Sequence, residues 1–254
     1  LENGPEDRFT DIMKATIKPE FRGYDAYAAM TIYRRNLPHW RQAGATYFVT
    51  FRLGDSVPKA VVRQWQDEDN IWLKANKVDG QLSEELQAEY SRRIARRLHV
   101  ELDKCHGCCL FRREDTREVL SQALHHFHGT RWWVGDFVIM PNHVHGLFQP
   151  IAEAVERCSA PFENGMVGNG PEDRSTFKLE DILGSVKGFV STRLTKLNIK
   201  PGKVWQQENY DRLVRDRVEL AAWRNYIECN PAKAKLRDGE FEYYRCSWLN
   251  GDGI

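Results

Sequence analysis

The chain has no apolar run longer than a β-strand, far short of the ~20 apolar residues that a membrane-spanning helix requires. Its N-terminus also lacks the basic and apolar regions of a secretory leader, so a cytoplasmic protein with no membrane partner is expected. An excess of charge is missing too: 37 Lys and Arg stand against 36 Asp and Glu, a formal balance of +1. The protein is no polycation, and any nucleic-acid contact must come from local basic surface. Cysteine is sparse, with six residues (Cys105, Cys108, Cys109, Cys158, Cys229 and Cys246) scattered over 254 positions. A chain of this length can bury a core without covalent staples, so reduced thiols are expected. Cys105-His106-Gly107-Cys108 contains a C-x-x-C, but no second ligand pair follows at zinc-knuckle spacing, which argues against zinc there.

Composition and patterning give a polar N-terminal extension over residues 1–30 and a single domain over residues 31–254. The domain is interrupted by a helical insertion at about residues 57–104 and a polar loop at about residues 151–177. Asn3-Gly4-Pro5-Glu6-Asp7-Arg8 recurs unchanged as Asn169-Gly170-Pro171-Glu172-Asp173-Arg174; both copies are turn-rich and charged, as exposed spacers are. Tyr47-Phe48-Val49-Thr50-Phe51-Arg52 alternates as a core strand does. Helical periodicity follows in the insertion (Val61, Val62, Trp65, Trp72, then Leu82, Leu86, Tyr90, Ile94) and again over Val119, Leu120, Ala123, Leu124 and Phe127. A further helix places Leu179, Ile182, Leu183, Val186, Phe189, Val190, Leu194 and Leu197 inward and stops at Pro201-Gly202. Residues 204–214 supply another strand or extended segment, and Asp216 with Glu219 opens a last helix that closes before Pro231. Without its insertions, this order suits an α+β domain: an antiparallel sheet with helices packed on one face.

The stretch with the most chemical content is Trp132 to Phe148, in which two β-prone runs flank Pro141-Asn142 and His143 and His145 open the second run. Side chains at i and i+2 of a strand leave the same face, with Cα atoms roughly 7 Å apart. The two imidazoles can therefore share one ion, or stand as ordinary polar residues on an open sheet face; spacing alone leaves both readings. On the last helix Tyr226 and Asn230 are four residues apart and share a face, their Cβ atoms roughly 6 Å apart. A helix crossing the sheet can carry both to the histidines. An amide oxygen would then join the imidazoles on a divalent ion, and the tyrosine hydroxyl would attack a phosphodiester held there. Because a phenol's pKa is about 10, the cation must ease loss of its proton. Tyr210 is a second candidate nucleophile, but Val214 stands where the amide would be needed.

His143-Val144-His145 after Met140-Pro141-Asn142, with Tyr226-Ile227-Glu228-Cys229-Asn230-Pro231, resembles the HUH motif and catalytic-tyrosine helix of the single-tyrosine transposases of insertion sequences, in particular the REP-associated tyrosine transposases. The likeness extends to Arg35-Asn36-Leu37-Pro38-His39-Trp40, Tyr47-Phe48-Val49-Thr50-Phe51-Arg52, Gly107-Cys108-Cys109-Leu110, Val204-Trp205-Gln206 and Asn230-Pro231-Ala232-Lys233-Ala234. The resemblance implies a ferredoxin-like, RRM-like HUH nuclease fold and an enzyme that cuts and rejoins single-stranded or hairpin DNA. It further implies that His143, His145 and Asn230 bind Mg²⁺ or Mn²⁺, that Tyr226 forms a 5′-phosphotyrosine link, and that the chain acts as a monomer or homodimer. Imidazole preference alone would favour zinc or iron, so the harder ion comes from the resemblance.

For DNA contact the candidates are Arg34, Arg35, His39, Trp40 and Arg52, a mixture of cations and flat rings near the first strand. Lys187, at the polar margin of its helix, faces either a phosphate or water. Two other functions fit the same residues: a non-catalytic module that recognises repeated palindromes, and a hydrolase whose metal activates water while the tyrosine is structural.

Overall fold

The alternating run at Tyr47 forms a strand against which the rest of the sheet is built. In the computed structural model, which describes residues 19–34, 38–152, 177–199 and 203–250, five strands make the main sheet. They are β3 (Tyr47–Arg52), β4 (Trp132–Ile139), β5 (His143–Pro150), β6 (Tyr210–Leu213) and β7 (Glu242–Tyr244). The order is β6-β3-β5-β4-β7, with every pairing antiparallel, so β5 lies in the middle. Two earlier strands, β1 (Met30–Arg34) and β2 (Pro38–Gln42), form a separate antiparallel ribbon. Both spacer hexapeptides lie outside the described residues.

Burial divides the sheet residues by parity. Tyr47, Val49 and Phe51 of β3 and Val144 and Phe148 of β5 enter one core with α3 (Glu114–His125) and α4 (Leu179–Lys196). Phe48 and Leu147, with Val138, enter a second core under α5 (Arg217–Lys233) through Leu220 and Ile227. Two helices thus fill one face as the sequence suggests, while α5 crosses the other. Each fully buried Leu, Ile or Val contributes about 1.5–3 kcal/mol, and α4 has six buried apolar residues despite Gly184 and Gly188 in its interior. Phe189 and Leu197, expected inward, are instead 54 % and 45 % exposed.

The insertion is a helical hairpin of α1 (Lys59–Asn76) and α2 (Glu84–Leu102). No residue of α1 is buried, so α1 is held by its contacts with α2: Trp72 stacks on Tyr90 at 5.3 Å, and Arg97 pairs with Asp69 while lying 5.0 Å over Trp65. Its exit turn requires glycine at position 107, where φ is +87° and an added Cβ would sit 2.5 Å from the Asp55 carbonyl oxygen. The cysteines around that turn carry free thiols. Among the described residues, no helix is long and apolar enough to cross a membrane.

Candidate active site

β5 is buried along its whole length, and its register sets the site: Arg52 lies opposite His143 and Thr50 opposite His145. Asn142, in the turn before β5, donates from Nδ2 to the His106 carbonyl at 2.9 Å. A carbonyl only accepts, so Asn142 must aim Oδ1 at His143, whose Nδ1 donates to it at 2.7 Å. That fixes the tautomer and leaves the His143 Nε2 lone pair free. The His145 Nδ1 lies 2.7 Å from the Thr50 hydroxyl oxygen. Both Nε2 atoms face one another at 3.0 Å. Burial pushes the His143 pKa down to about 3, with His99 and Arg52 adding to the effect, and holds that of His145 well below its ordinary value, with His143 and His99 adding to the effect. Both rings are therefore neutral, the form that ligates a cation.

α5 brings the second half. Asp216 caps it by accepting from the Glu219 backbone N–H at 2.8 Å. One turn apart on its inner face, Tyr226 places its hydroxyl 3.4 Å from His145 Nε2, and Asn230 is completely buried. Neither amide atom of Asn230 completes a hydrogen bond of good geometry, although the amide lies near enough to the Tyr226 hydroxyl to act against the rise in its pKa. An amide buried without partners is costly, and one next to the Tyr226 hydroxyl, itself beside two opposed imidazole nitrogens, fits a cation that would draw on all three side chains. Among the described residues, no three His, Cys, Asp or Glu side chains form a ligand group. A metal held here would take the Asn230 oxygen as its third protein donor and complete its shell from substrate or water.

Three further side chains border Tyr226. Lys233, two turns further along α5, has Nζ 4.7 Å from the phenol ring centroid. His99 and Asp103 arrive from the end of the insertion, and His99 Nε2 and Asp103 Oδ1 are buried without hydrogen-bond partners. Burial first, and Asp103 second, raise the Tyr226 pKa above its ordinary value. The spacing of Lys233 from Tyr226 could have signalled its position; nothing in the insertion's sequence marks His99 or Asp103. Tyr210 is close by, its ring 5.3 Å from that of His99, but Tyr226 carries the hydroxyl beside the imidazoles.

The expected DNA-contact residues separate into exposed and engaged groups. Trp40 is 49 % exposed and lines a cavity of about 470 Å³ with Tyr24, Tyr210, Arg212 and Arg215. His39 also borders that cavity, but its ring is buried and bonded to Asp211 at 2.5 Å, with Glu208 at 3.6 Å. Burial pulls its pKa down, yet those carboxylates prevail and raise it to about 9. Arg52 is half-buried and donates to the Ser56 hydroxyl at 3.0 Å. Lys187 donates to the Gln206 carbonyl at 3.0 Å and to the Asn209 side chain, tying α4 to the segment before β6. Arg34 lies in β1 with its side chain outside the described set, and Arg35 lies outside the described residues.

No family model matches the chain. An uncharacterized protein of Haemophilus influenzae is 29% identical over 98 residues, which is 39% of this chain and 53% of that protein, so the match spans about half the relative's length. Among solved structures, a REP-associated tyrosine transposase bound to a REP hairpin aligns with a TM-score of 0.37 and 13% identity over 80% of this chain and 74% of that one.

Proposed function

We propose that this protein is a metal-dependent single-stranded DNA endonuclease and strand transferase acting on hairpin DNA. The observation that carries the reading is the Tyr226 hydroxyl lying 3.4 Å from His145 Nε2, which faces His143 Nε2 at 3.0 Å, with the buried Asn230 amide next to the same hydroxyl. Mg²⁺ or Mn²⁺ held by His143, His145 and Asn230 would act as a Lewis acid on a phosphodiester oxygen. Tyr226 supplies the nucleophile: its phenolic oxygen forms a bond to phosphorus as the P–O3′ bond breaks. The products are a 5′-phosphotyrosine link and a free 3′-hydroxyl: the phenolic proton passes to solvent and the departing O3′ takes one up, so the step is proton-neutral. Attack by another 3′-hydroxyl reverses the bond changes and rejoins strands without an external energy source.

The phenol is protonated at neutral pH, so its proton must leave during attack. Lys233, close to the ring, favours the negative charge that then develops. The Trp40 cavity, with its rings and arginines, suits unpaired bases and their phosphates. The chain acts in this reading as a monomer or homodimer.

The test mixes purified protein with end-labelled hairpin DNA in Mg²⁺ or Mn²⁺ and in chelator, beside Tyr226→Phe and His143→Ala, on a denaturing gel. A metal-dependent protein–DNA adduct that vanishes in both variants is expected. Cleavage without an adduct that survives Tyr226→Phe would instead identify a hydrolase using water; binding without cleavage on hairpins of every flank sequence would identify a recognition module.

A further inference from the structure

His99 comes to the site on α2, so the helical insertion contributes directly to the catalytic surroundings. Its ring centroid lies 5.3 Å from that of His145, 5.5 Å from Tyr226 and 5.3 Å from Tyr210. Those neighbours are aromatic, with Phe48 a further 6.2 Å contact. A phenylalanine would satisfy such packing, yet the position holds an imidazole whose Nε2 is buried without a hydrogen-bond partner. Leaving that nitrogen unpaired in a site this enclosed is unfavourable. It is not explained by the metal-ligand set, since no three His, Cys, Asp or Glu side chains converge among the described residues. It is also not explained by pairing with Tyr226, whose hydroxyl contact is with His145.

We propose that His99 is a further substrate-contacting residue, whose Nε2–H donates a hydrogen bond to a non-bridging oxygen of the phosphodiester that Tyr226 attacks. This rests on the strand-transfer reading above and specifies how the substrate phosphate is held. The hydrogen bond transfers no proton; it orients phosphorus toward the phenolic oxygen and bears part of the charge on the phosphate. Ser91, about two turns earlier on the same helix, lines the Trp40 cavity. One helix thus borders both the cavity suited to unpaired bases and the position of the reacting phosphate, and Tyr210 belongs to both surroundings.

The experiment uses the full chain with His99→Phe, which keeps a ring, and His99→Gln, whose amide nitrogen reaches a similar position. Affinity is measured by fluorescence anisotropy for a labelled hairpin pool with randomised single-stranded flanks, in Mn²⁺ and on a Tyr226→Phe background that forms no covalent link. Mn²⁺ affinity without DNA is measured by calorimetry, and adduct formation is measured on the native Tyr226 background. His99→Phe should weaken DNA binding roughly tenfold to a hundredfold, the size of one hydrogen bond to a charged group. His99→Gln should recover most of that loss, with Mn²⁺ affinity unchanged in both variants. DNA affinity undiminished in His99→Phe, no recovery in His99→Gln, or a parallel loss of Mn²⁺ affinity would each overturn the assignment. A native chain that forms no adduct while His99→Phe still loses DNA affinity defeats the strand-transfer reading and leaves the phosphate contact standing; an adduct formed equally well by His99→Phe does the reverse. Absence of DNA binding by the native chain overturns both. If His99→Phe loses its cooperative unfolding transition, His99→Gln against His99→Asn, which differ by one methylene in reach, provides the same comparison.

Discussion

Replacing Asn142 with Leu removes the link between the exit turn of the insertion and the first histidine of the site while keeping a side chain of similar length. Two hydrogen bonds are lost, from Asn142 Nδ2 to the His106 carbonyl at 2.9 Å and from His143 Nδ1 to Asn142 Oδ1 at 2.7 Å. The His106 carbonyl belongs to a half-buried residue and can rehydrate, so that bond costs about 1 kcal/mol. His143 is fully buried, and its orphaned Nδ1–H adds about 1–3 kcal/mol. The sum is about 2–4 kcal/mol of stability. Freed from its acceptor, the imidazole also loses the tautomer and ring orientation that present Nε2, a change worth roughly 10–100-fold in metal affinity. Urea unfolding at neutral pH with and without saturating Mn²⁺ reads both effects. The midpoint should fall at constant slope, and the stabilisation added by Mn²⁺ should shrink in the variant, because ligand-linked stability follows ligand concentration over its dissociation constant. An unchanged midpoint together with an unchanged Mn²⁺ increment would refute the assignment of Asn142 as the residue that orients His143.

His39 provides a pH test that does not involve the imidazole pair. Its folded pKa is raised to about 9 from 6.5, so its stabilising effect is complete below pH 6.5 and is lost as pH rises through 9. Native stability should fall by at most about 3–4 kcal/mol as pH rises from below 6.5 to above 9, and His39→Gln should flatten that part of the curve; an unchanged pH profile in the variant would show that the Asp211 pair contributes nothing. Gly135→Ala should lower the unfolding stability by about 1–3 kcal/mol, read as a lower urea midpoint, because the new Cβ would stand 2.8 Å from the Leu147 carbonyl oxygen and 2.9 Å from Leu249 Cδ1. A midpoint within error of the native protein would mean that the β4 bulge between Val134 and Phe137 absorbs the methyl.

The features legible in the sequence are those with a short period. His143 and His145 share a face because a strand alternates, and Tyr226 and Asn230 share one because a helix repeats; the structure needed only to bring the two elements together. Asp216 caps its helix as its pattern suggests, but the Glu219 carboxylate accepts from the Arg215 backbone N–H at 2.7 Å and from Arg212 at 2.6 Å, outside the reciprocal capping box. Periodicity overreached in α4, where Phe189 and Leu197 extend the apolar stripe beyond the surface that α3 and the sheet cover. Long-range partners were invisible. His39 reads as a cation beside a ring until the fold places Asp211, 172 residues later, against its Nδ1. Lys187 likewise reads as a free charge until Gln206 and Asn209 receive it.

The distribution of unpaired polar atoms bears on what the site is for. An enclosed nitrogen or oxygen without a partner costs about 1–3 kcal/mol, and a domain selected only for stability would replace such groups with apolar ones. Around Tyr226 several occur together: the indole nitrogen of Trp223, Nε2 of His99, Oδ1 of Asp103 and both amide atoms of Asn230. They come from two separate elements, the end of the insertion and α5, and they meet over the central strand, where His143 and His145 already oppose their Nε2 atoms. A solely structural role for the tyrosine would require no such concentration, whereas a phosphate and a cation bound beside its hydroxyl would satisfy donors and acceptors alike. If a cation and a phosphate meet these groups, saturating Mn²⁺ with hairpin DNA should stabilise the protein more than either ligand alone; equal stabilisation by one ligand would count against it.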